Sequence, residues 1–278
     1  MAKLHTDHEG MLIHESGIAP GVVEARGYRT VETKAELKRL GFSDAQCGVP
    51  GMLIPIYNPA GELVLYQFRP NQPRIRDGKA IKYETLKGCL MALDVHPFAR
   101  EKLGDPSVPI FLTEGVKKGD CLISRDLCAI TLLGVWNWRG TNQKGGKVVL
   151  PEWEYVALNS RRAYVVFDSD IMFKTSVYRA MLRLKGFLEG RGAEVAVIYL
   201  PAARGGGKEG VDDFLASGHS VDDLLSLATT ELKKPPAGDE FDGEPDTQAD
   251  ALVRYARDAK LFRTPDGVAY VTFPVGQV

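Results

Sequence analysis

The second half of the chain alternates between two spacings of apolar residues, one typical of buried strands and one typical of amphipathic helices. Short, nearly continuous apolar runs of strand length occur in VPIFLTEG, LCAITLLG, RAYVVFDSD and EVAVIYLP. Helical spacing separates these runs, in VKKGDCLISRD and in TSVYRAMLRLKGFLEGRG. Strands that alternate with helices predict an α/β fold with a parallel sheet and helices on its faces.

The first half has a different pattern, with two short helical segments followed by a β-hairpin signal. MLIPIY and ELVLYQF are apolar, partly alternating runs, and the turn sequence NPAG at residues 58–61 joins them. We therefore expect a small α+β subdomain with a hairpin over residues 1–105, and the parallel-sheet domain over residues 106–232.

The end of the chain changes character again. Residues 233–250 are rich in proline, glycine and acids and have little to bury, so they are expected to form an acidic linker. Residues 251–278 are expected to begin a further domain or to form a partner-binding tail, with a helix over ALVRYARDAKLF and a hairpin over TPDGVAYVTFPV.

Composition restricts the function classes only slightly. Of the 278 residues, 44% are hydrophobic and 26% are charged, which is typical of globular proteins. No apolar run has the length of a membrane span, and the first ten residues lack the apolar core of a secretory signal. The four cysteines fit neither a zinc ribbon nor a CxxC pair, so we expect free thiols and a cytoplasmic protein without membrane contact.

The distribution of charge is more informative than the net charge of -1. The segment 68–88 carries six basic residues and two acids, whereas residues 239–250 are strongly acidic. The basic side chains of this segment are Arg69, Arg74, Arg76, Lys79, Lys82 and Lys87. A local basic segment in a nearly neutral chain is compatible with binding to phosphates.

Acidic residues follow two of the predicted strands at the edge where an open parallel sheet binds its ligands. Glu114 ends the first strand, and Asp168 and Asp170 end the third, with Ser169 expected to point away from the pair. Mg²⁺ prefers a few carboxylates together with water and substrate phosphates. The acids therefore predict a site for a hard cation, although an isolated DxD sequence is also typical of a solvated turn.

The motifs TEG, FDSD and KEGVDDFL, in this order, resemble the Toprim domain of DnaG-type primases, topoisomerases and related nucleases. The similarity is greatest to Toprim-like modules of plasmid and phage replication proteins. The resemblance implies Mg²⁺ or Mn²⁺ as cofactor, with Asp168 and Asp170 as metal ligands and Asp212 as a further ligand. It implies that Glu114 acts as an acid–base group or a metal ligand.

The hairpin segment and the IKYET segment after it resemble the small subdomain that precedes Toprim in DnaG-type primases. This resemblance implies that Arg69, Lys82 and Tyr83 flank the catalytic face. Basic side chains there would hold template phosphates or the incoming triphosphate. Arg139, beside Trp136 and Trp138, marks a second loop that fits either nucleic-acid binding or ordinary packing.

The sequence departs from the primase pattern in three ways. No zinc ribbon precedes the core. Gly210 stands where primases often have a further aspartate, and Lys118 stands where cellular primases commonly have an acid. Lys117, Lys118 or both are therefore expected to face phosphate at the start of the helix after Glu114.

Several functions and several plainer roles remain open at this level. The leading prediction is Mg²⁺-dependent nucleotidyl transfer of the primase type in plasmid or phage replication, with single-stranded DNA and NTPs as partners. A replicative helicase, fused or associated through the linker, is a further expected partner. The alternatives are a Toprim nuclease and a non-catalytic module that binds nucleic acid or couples to a helicase. Glu114, Asp212 and Asp213 also fit simple helix caps.

Overall fold

A hairpin sheet with short helices around it forms the first part of the protein, as the sequence predicted. The computed structural model describes residues 4–142, 145–203 and 205–233, together with the backbone of 260–263 and 269–272. The elements of the first part are helix α1 (Thr6–Gly10), a π-helical turn (Met11–Glu15), α2 (Pro20–Arg26), β1 (Arg29–Val31), α3 (Lys34–Arg39), a 3₁₀ turn (Asp44–Gln46), β2 (Gly51–Tyr57), β3 (Leu63–Pro70), β4 (Ile75–Arg76), β5 (Lys79–Ala80), β6 (Glu84–Thr85) and a 3₁₀ turn (Pro97–Lys102).

Local sequence explains where these elements begin and end. Pro20 is the first residue of α2, where its missing N–H costs nothing, and Gly27 ends the helix with φ 81°. In the hairpin turn, the Asn58 side chain accepts a hydrogen bond of 2.9 Å from the Glu62 N–H, and Gly61 supplies a positive φ of 85°. The four-stranded antiparallel sheet has the order β1-β2-β3-β6, and β4 and β5 form a separate small ribbon.

The second part contains the parallel sheet that the alternating pattern predicted, so the α/β assignment is confirmed. Its elements are β7 (Ile110–Glu114), α4 (Val116–Ile123), β8 (Cys128–Leu132), β9 (Arg139–Thr141), β10 (Lys147–Val149), a 3₁₀ turn (Pro151–Tyr155), β11 (Arg162–Phe167), a 3₁₀ turn (Ser169–Met172), α5 (Thr175–Gly190), β12 (Glu194–Tyr199), α6 (Val211–Ala216), α7 (Val221–Ser226) and β13 (Ala228–Thr229).

The strand order β13-β12-β11-β7-β8 places the first strand of this part between β11 and β8. The strands β12, β11, β7 and β8 run parallel, and β13 adds an antiparallel edge. Because Val165 pairs with Leu112, strands β7 and β11 end at the same level of the sheet. The residues that follow these two strands are therefore neighbours.

One continuous apolar core joins the two parts. It includes side chains of the hairpin, such as Ile54, and of the parallel sheet, such as Leu112 and Val165, all with no exposed surface. Helix α5 contributes Met181 and Leu184 to the same core, as its helical spacing predicted. The predicted boundary between residues 105 and 106 stays a prediction, since residues 1–236 form one compact unit.

A buried ionic network ties helix α4 to the first part. The Arg26 guanidinium donates to Asp94 at 2.6 and 3.1 Å and to Asp120 at 2.6 and 3.0 Å, and the Tyr28 hydroxyl donates to Asp120 at 2.7 Å. The side chains of Arg26, Asp94 and Asp120 are fully buried. This network fixes the helix that begins directly after Glu114.

Residues 237–278 form a separate unit. Its described backbone is an antiparallel pair, β14 (Lys260–Arg263) and β15 (Ala269–Thr272). The helix predicted over residues 251–262 is wrong for residues 260–262, which are strand, and its remainder lies outside the described residues. Most of the predicted linker 233–250 also lies outside them.

Two simpler predictions concern covalent and membrane structure. All four cysteines lie in the described part of the chain and carry free thiols, as their spacing predicted. Among the described helices, none combines the length and the apolar character that a bilayer crossing requires.

Candidate nucleic-acid and metal cleft

A cleft of about 560 Å³ lies where the hairpin meets the carboxyl ends of β7 and β11. Five basic and four acidic side chains face it, and it includes eight of the ten site residues that the sequence predicted. The lining residues are Gln67, Arg69, Lys82, Tyr83, Thr85, Glu114, Gly115, Lys117, Lys118, Leu133, Asp168, Lys208, Gly210, Asp212 and Asp213. Acids and bases from distant parts of the sequence therefore converge in one place.

Glu114 is the last residue of β7, and Gly115 turns the chain into α4 with φ 96°. Burial raises the pKa of the Glu114 carboxyl, and the negative charges of Asp168 and Asp170 raise it further against the opposing effect of Lys118. A carboxylate with a raised pKa, open to a cleft, can accept a proton from a bound group more readily than an ordinary glutamate.

Asp168 follows β11 directly and is 3% exposed. Its Oδ2 atom lies 2.8 Å from the Lys118 Nζ and 2.6 Å from the Lys208 Nζ. Lys208 also lies 3.2 Å from Asp170, so one ammonium bridges both aspartates of the FDSD motif. Lysines therefore contact both of the aspartates that were predicted to bind a metal.

Asp170 has different contacts from Asp168, and it lies outside the lining of the cleft. Its Oδ2 accepts a hydrogen bond of 2.7 Å from Lys174, one turn further along the chain. Burial raises the pKa of Asp170, but the contacts with Lys174 and Lys208 outweigh that effect and the pKa is lowered. Asp170 is therefore an ionised, paired carboxylate at the rim of the site.

The KEGVDDFL segment is fixed against the FDSD motif by Ser169, which does not simply point away as expected. Ser169 donates its N–H to the Glu209 carbonyl, and its Oγ accepts from the Glu209 N–H, both at 2.9 Å. Asp213 accepts a hydrogen bond of 3.0 Å from the Gly210 N–H, which is the role of a helix cap. The segment is thus fixed by hydrogen bonds at Glu209, before Gly210, and at Asp213, after it.

Asp212 faces the cleft and is 4% exposed. Its Oδ1 atom is buried without a hydrogen-bond partner in the described structure, and Lys117 lies 3.9 Å from its Oδ2. Burial raises the pKa of the Asp212 carboxyl, against the effect of Lys117 and Lys118. A buried carboxylate oxygen without a donor is available to a cation.

The hairpin supplies the basic side of the cleft. The Arg69 guanidinium lies 5.2 Å from the centre of the Tyr83 ring, and Lys82 is exposed. From α4, Lys117 donates a hydrogen bond of 2.7 Å to the Ser16 hydroxyl, and burial lowers the pKa of its amine. These side chains provide positive charge in the same cleft as the acids.

Arg139 is not brought to the cleft. Its guanidinium lies 4.5 Å from the Trp136 ring and 5.6 Å from the Trp138 ring. Trp138 is 6% exposed and stacks on Phe187 with ring centres 5.2 Å apart. Trp138 is therefore a core residue, so the alternative that it stacks on bases is wrong.

The predicted metal site is only partly formed by the protein. Within the described residues, no three His, Cys, Asp or Glu side chains lie close enough to hold an ion together, so a shell of four acids is not preformed. The unpartnered Oδ1 of Asp212 and the cluster around Asp168 fit a different arrangement. In this arrangement, the protein binds a single hard cation that takes most of its ligands from water and phosphate.

Comparison with known proteins agrees with this architecture. Residues 100–221 match DUF3854, a domain family of unknown function. An uncharacterized protein of Picosynechococcus sp. is 36% identical over 105 residues, which cover 34% of this chain and 10% of that protein. The chain thus spans about a tenth of the length of this relative.

The solved structures that it resembles are primase cores. The Aquifex aeolicus primase, with its zinc-binding and RNA polymerase domains, is 16% identical with a TM-score of 0.55, covering 81% of this chain and 56% of that one. The DnaG catalytic domain bound to single-stranded DNA has 12% identity, a TM-score of 0.54 and coverages of 80% and 72%. The Escherichia coli primase catalytic core is 11% identical with a TM-score of 0.52, covering 80% of this chain and 73% of that one. The chain therefore has the Toprim-type fold of DnaG primase catalytic cores, which confirms the resemblance in fold.

Sequence reasoning missed two residues of this site. Lys208 is bound to both aspartates, and Ser169 connects two motifs that lie 40 residues apart. The sequence did contain a signal for Lys208. This lysine is the first residue of the KEGVDDFL motif, and the nearby acids that were predicted to cluster are natural partners for its charge. Ser169 offered no such signal, since a serine between two acids fits a solvent-exposed turn equally well.

Proposed function

We propose that this chain is a primase-type nucleotidyltransferase core that joins nucleotides on a single-stranded nucleic acid. The observation that carries the proposal is that Glu114, Asp168 and Asp212 line the same cleft as Arg69 and the exposed Lys82. Such a cleft offers acids to a reacting hydroxyl and bases to the phosphates beside it. The likeness in fold to a DnaG catalytic domain solved with single-stranded DNA supports the same proposal.

The residues of the chain divide the chemistry between them. Arg69, Lys82 and Lys117 bind phosphate oxygens of the template or triphosphate. Glu114 accepts the proton of the attacking 3′-hydroxyl, for which its raised pKa is suited. The oxygen then forms a bond to the α-phosphorus as the bond to the pyrophosphate oxygen breaks.

Asp168, Asp170 and Asp212 are the residues that would hold Mg²⁺ or Mn²⁺ in this proposal, which leaves Glu114 to act as the base. When bound, the ion supplies positive charge to the attacking and leaving oxygens. Asp168 is the central ligand in this proposal because it faces the cleft, where Lys118 and Lys208 contact it. Those lysines must share Asp168 with the ion, so we expect weak binding of the free ion and stronger binding together with a triphosphate.

One observation favours a second function. Because Lys118 and Lys208 already neutralise Asp168, the cleft could bind phosphates without catalysing their transfer. A non-catalytic nucleic-acid-binding module is therefore the alternative. Coupling to a replicative helicase through residues 233–250 remains a prediction that falls mostly outside the described residues.

The experiment that decides between them is primer synthesis on a single-stranded DNA template with labelled NTPs. We expect the wild-type chain to make short products in Mg²⁺ or Mn²⁺ and to make none after EDTA is added, because the triphosphate then loses its cation. The same reactions without NTPs test for cleavage of the template, which would indicate a nuclease. Template binding that is unchanged by EDTA, without products in either metal, would contradict nucleotidyl transfer and support the binding module.

A further inference from the structure

Lys118 lines the cleft and contacts Asp168. Its Nζ lies 2.6 Å from Oδ1 and 2.8 Å from Oδ2 of Asp168, and its side chain is 19% exposed. The positive charge of Lys118 also acts on Glu114 and Asp212 from the same position. One ammonium thus binds Asp168 and lines the same cleft as the carboxylates of the two other motifs.

Gly210 provides the space through which the Lys118 side chain passes. A Cβ atom at position 210 would lie 2.7 Å from Lys118 Cε and 2.6 Å from Asp212 Oδ1, which is closer than real Cβ atoms approach. The backbone at Gly210 has φ -96°, a conformation that other residues adopt freely. The glycine is therefore needed for room and not for backbone conformation.

Two of the departures from the primase pattern, Lys118 and Gly210, therefore belong to one structural feature. Lys118 and Gly210 are 92 positions apart, yet the side chain of the first fills the space that a side chain of the second would take. An aspartate at position 210 would collide with the lysine stem. An acid at position 118 would leave Asp168 with only one of its two ammonium partners.

We infer that the Lys118 ammonium is a built-in cation that takes the place of a divalent ion beside Asp168, and that Gly210 makes room for it. The lysine supplies its positive charge on a side chain, so it competes with a divalent ion for the Asp168 carboxylate. This inference rests on the proposed function for its chemistry, but it concerns ion binding and can be tested alone.

The test is a titration with Mn²⁺, followed by electron paramagnetic resonance of the free ion, with no nucleotide present. Lys118→Met removes the charge and keeps most of the apolar stem. We expect it to raise the Mn²⁺ affinity by at least about tenfold, because a positive charge within contact distance of the ligands is removed. The wild-type chain is expected to bind no more than one ion in the cleft.

The matched control is Lys174→Met, which removes an ammonium 2.7 Å from Asp170 but on a side chain that is 58% exposed. Solvent screens that charge, so the Mn²⁺ affinity should stay within about threefold of the wild type. An affinity in Lys118→Met that does not exceed that of Lys174→Met would overturn the inference. Failure of every variant to bind Mn²⁺ would overturn it as well.

A second pair of variants keeps Lys118 in place. Gly210→Ala should push the lysine stem away from Asp168 and raise the Mn²⁺ affinity in the same direction as Lys118→Met. Gly207→Ala, in the same loop, meets nothing closer than Ala203 Cβ at 3.7 Å and should leave the affinity unchanged. Equal affinities in the two alanine variants would show that the space at Gly210 is not linked to Lys118.

The outcome is separate from that of the proposed function. If the wild-type chain makes no primers, the proposed reaction is contradicted, but the comparison of Mn²⁺ affinities remains valid. If the wild-type chain makes primers but Lys118→Met has an unchanged Mn²⁺ affinity, the proposed reaction is supported and the built-in cation is contradicted.

Discussion

Arg26→Met is expected to lower the free energy of unfolding by about 3–5 kcal/mol, the typical cost of removing one partner from a buried ionic network. Arg26 donates to both Asp94 and Asp120, and all three side chains are fully buried. Methionine fills much of the same space but leaves two carboxylates in the interior without a cation. Because small domains are stable by only about 5–15 kcal/mol, a loss of this size is a large part of the total.

Urea denaturation followed by circular dichroism measures this change. The control is Arg162→Met, which removes an ion pair of 3.0 Å to Glu194 where the two side chains are 42% and 61% exposed. Exposed pairs contribute about 0–1 kcal/mol, so the control should differ little from the wild type. Similar midpoints for the two variants would mean that the network does not hold helix α4 in place.

Asp168→Asn is expected to reduce primer synthesis by at least about a hundredfold, comparable to the loss of one preorganised electrostatic group in an active site. Asparagine has the same shape but lacks the charge that holds the cation in our proposal. It also leaves Lys118 and Lys208 without their common partner. The measurement is the rate of product formation on a single-stranded template with saturating NTPs and Mg²⁺.

Asp222→Asn is the control for this substitution. It makes the same chemical change at an exposed position in the first turn of α7, outside the cleft, and should retain the wild-type rate. Thermal unfolding of both variants separates loss of chemistry from loss of structure. A folded Asp168→Asn protein that keeps most of its activity would remove Asp168 from the reaction.

The local pattern of apolar residues predicted the elements of the parallel sheet well, because buried strands and amphipathic helices differ in their period. It could not predict that β7 lies between β8 and β11, since strand order depends on packing over long distances. The rule that open parallel sheets bind ligands at the carboxyl ends of their strands nevertheless placed Glu114 and Asp168 at the same edge. The resemblance to Toprim motifs then assigned these two acids to one site.

The ionic contacts within and beneath the cleft were the part that sequence could not predict. Arg26 lies in a short helix and would be expected in solvent, yet its partners Asp94 and Asp120 lie 68 and 94 residues further along the chain. Lys118 and Gly210 were recognised as departures from the primase pattern but not as neighbours. A single sequence carries no record of which side chains share a space.

The same limit explains the corrections. Asp168 and Asp170 were expected on successive same-side positions of a strand, but the strand ends at Phe167 and a 3₁₀ turn follows. Asp168 therefore faces the cleft while Asp170 lies at its rim. Arg139 was predicted to bind nucleic acid; its guanidinium lies beside the Trp136 ring and outside the lining of the cleft, and this role stays a prediction.

The central claim is that nucleotides and template bind in the cleft between the hairpin and the carboxyl ends of β7 and β11. Photo-crosslinking with an azido nucleoside triphosphate and a single-stranded template, followed by mass spectrometry of the modified peptides, tests it most directly. We predict labels on the peptides that carry Arg69, Tyr83 and Lys117, removed by an excess of unmodified NTP. Labels confined to the opposite shallow surface around Arg162 and Thr229, or labels that NTP does not displace, would contradict the account.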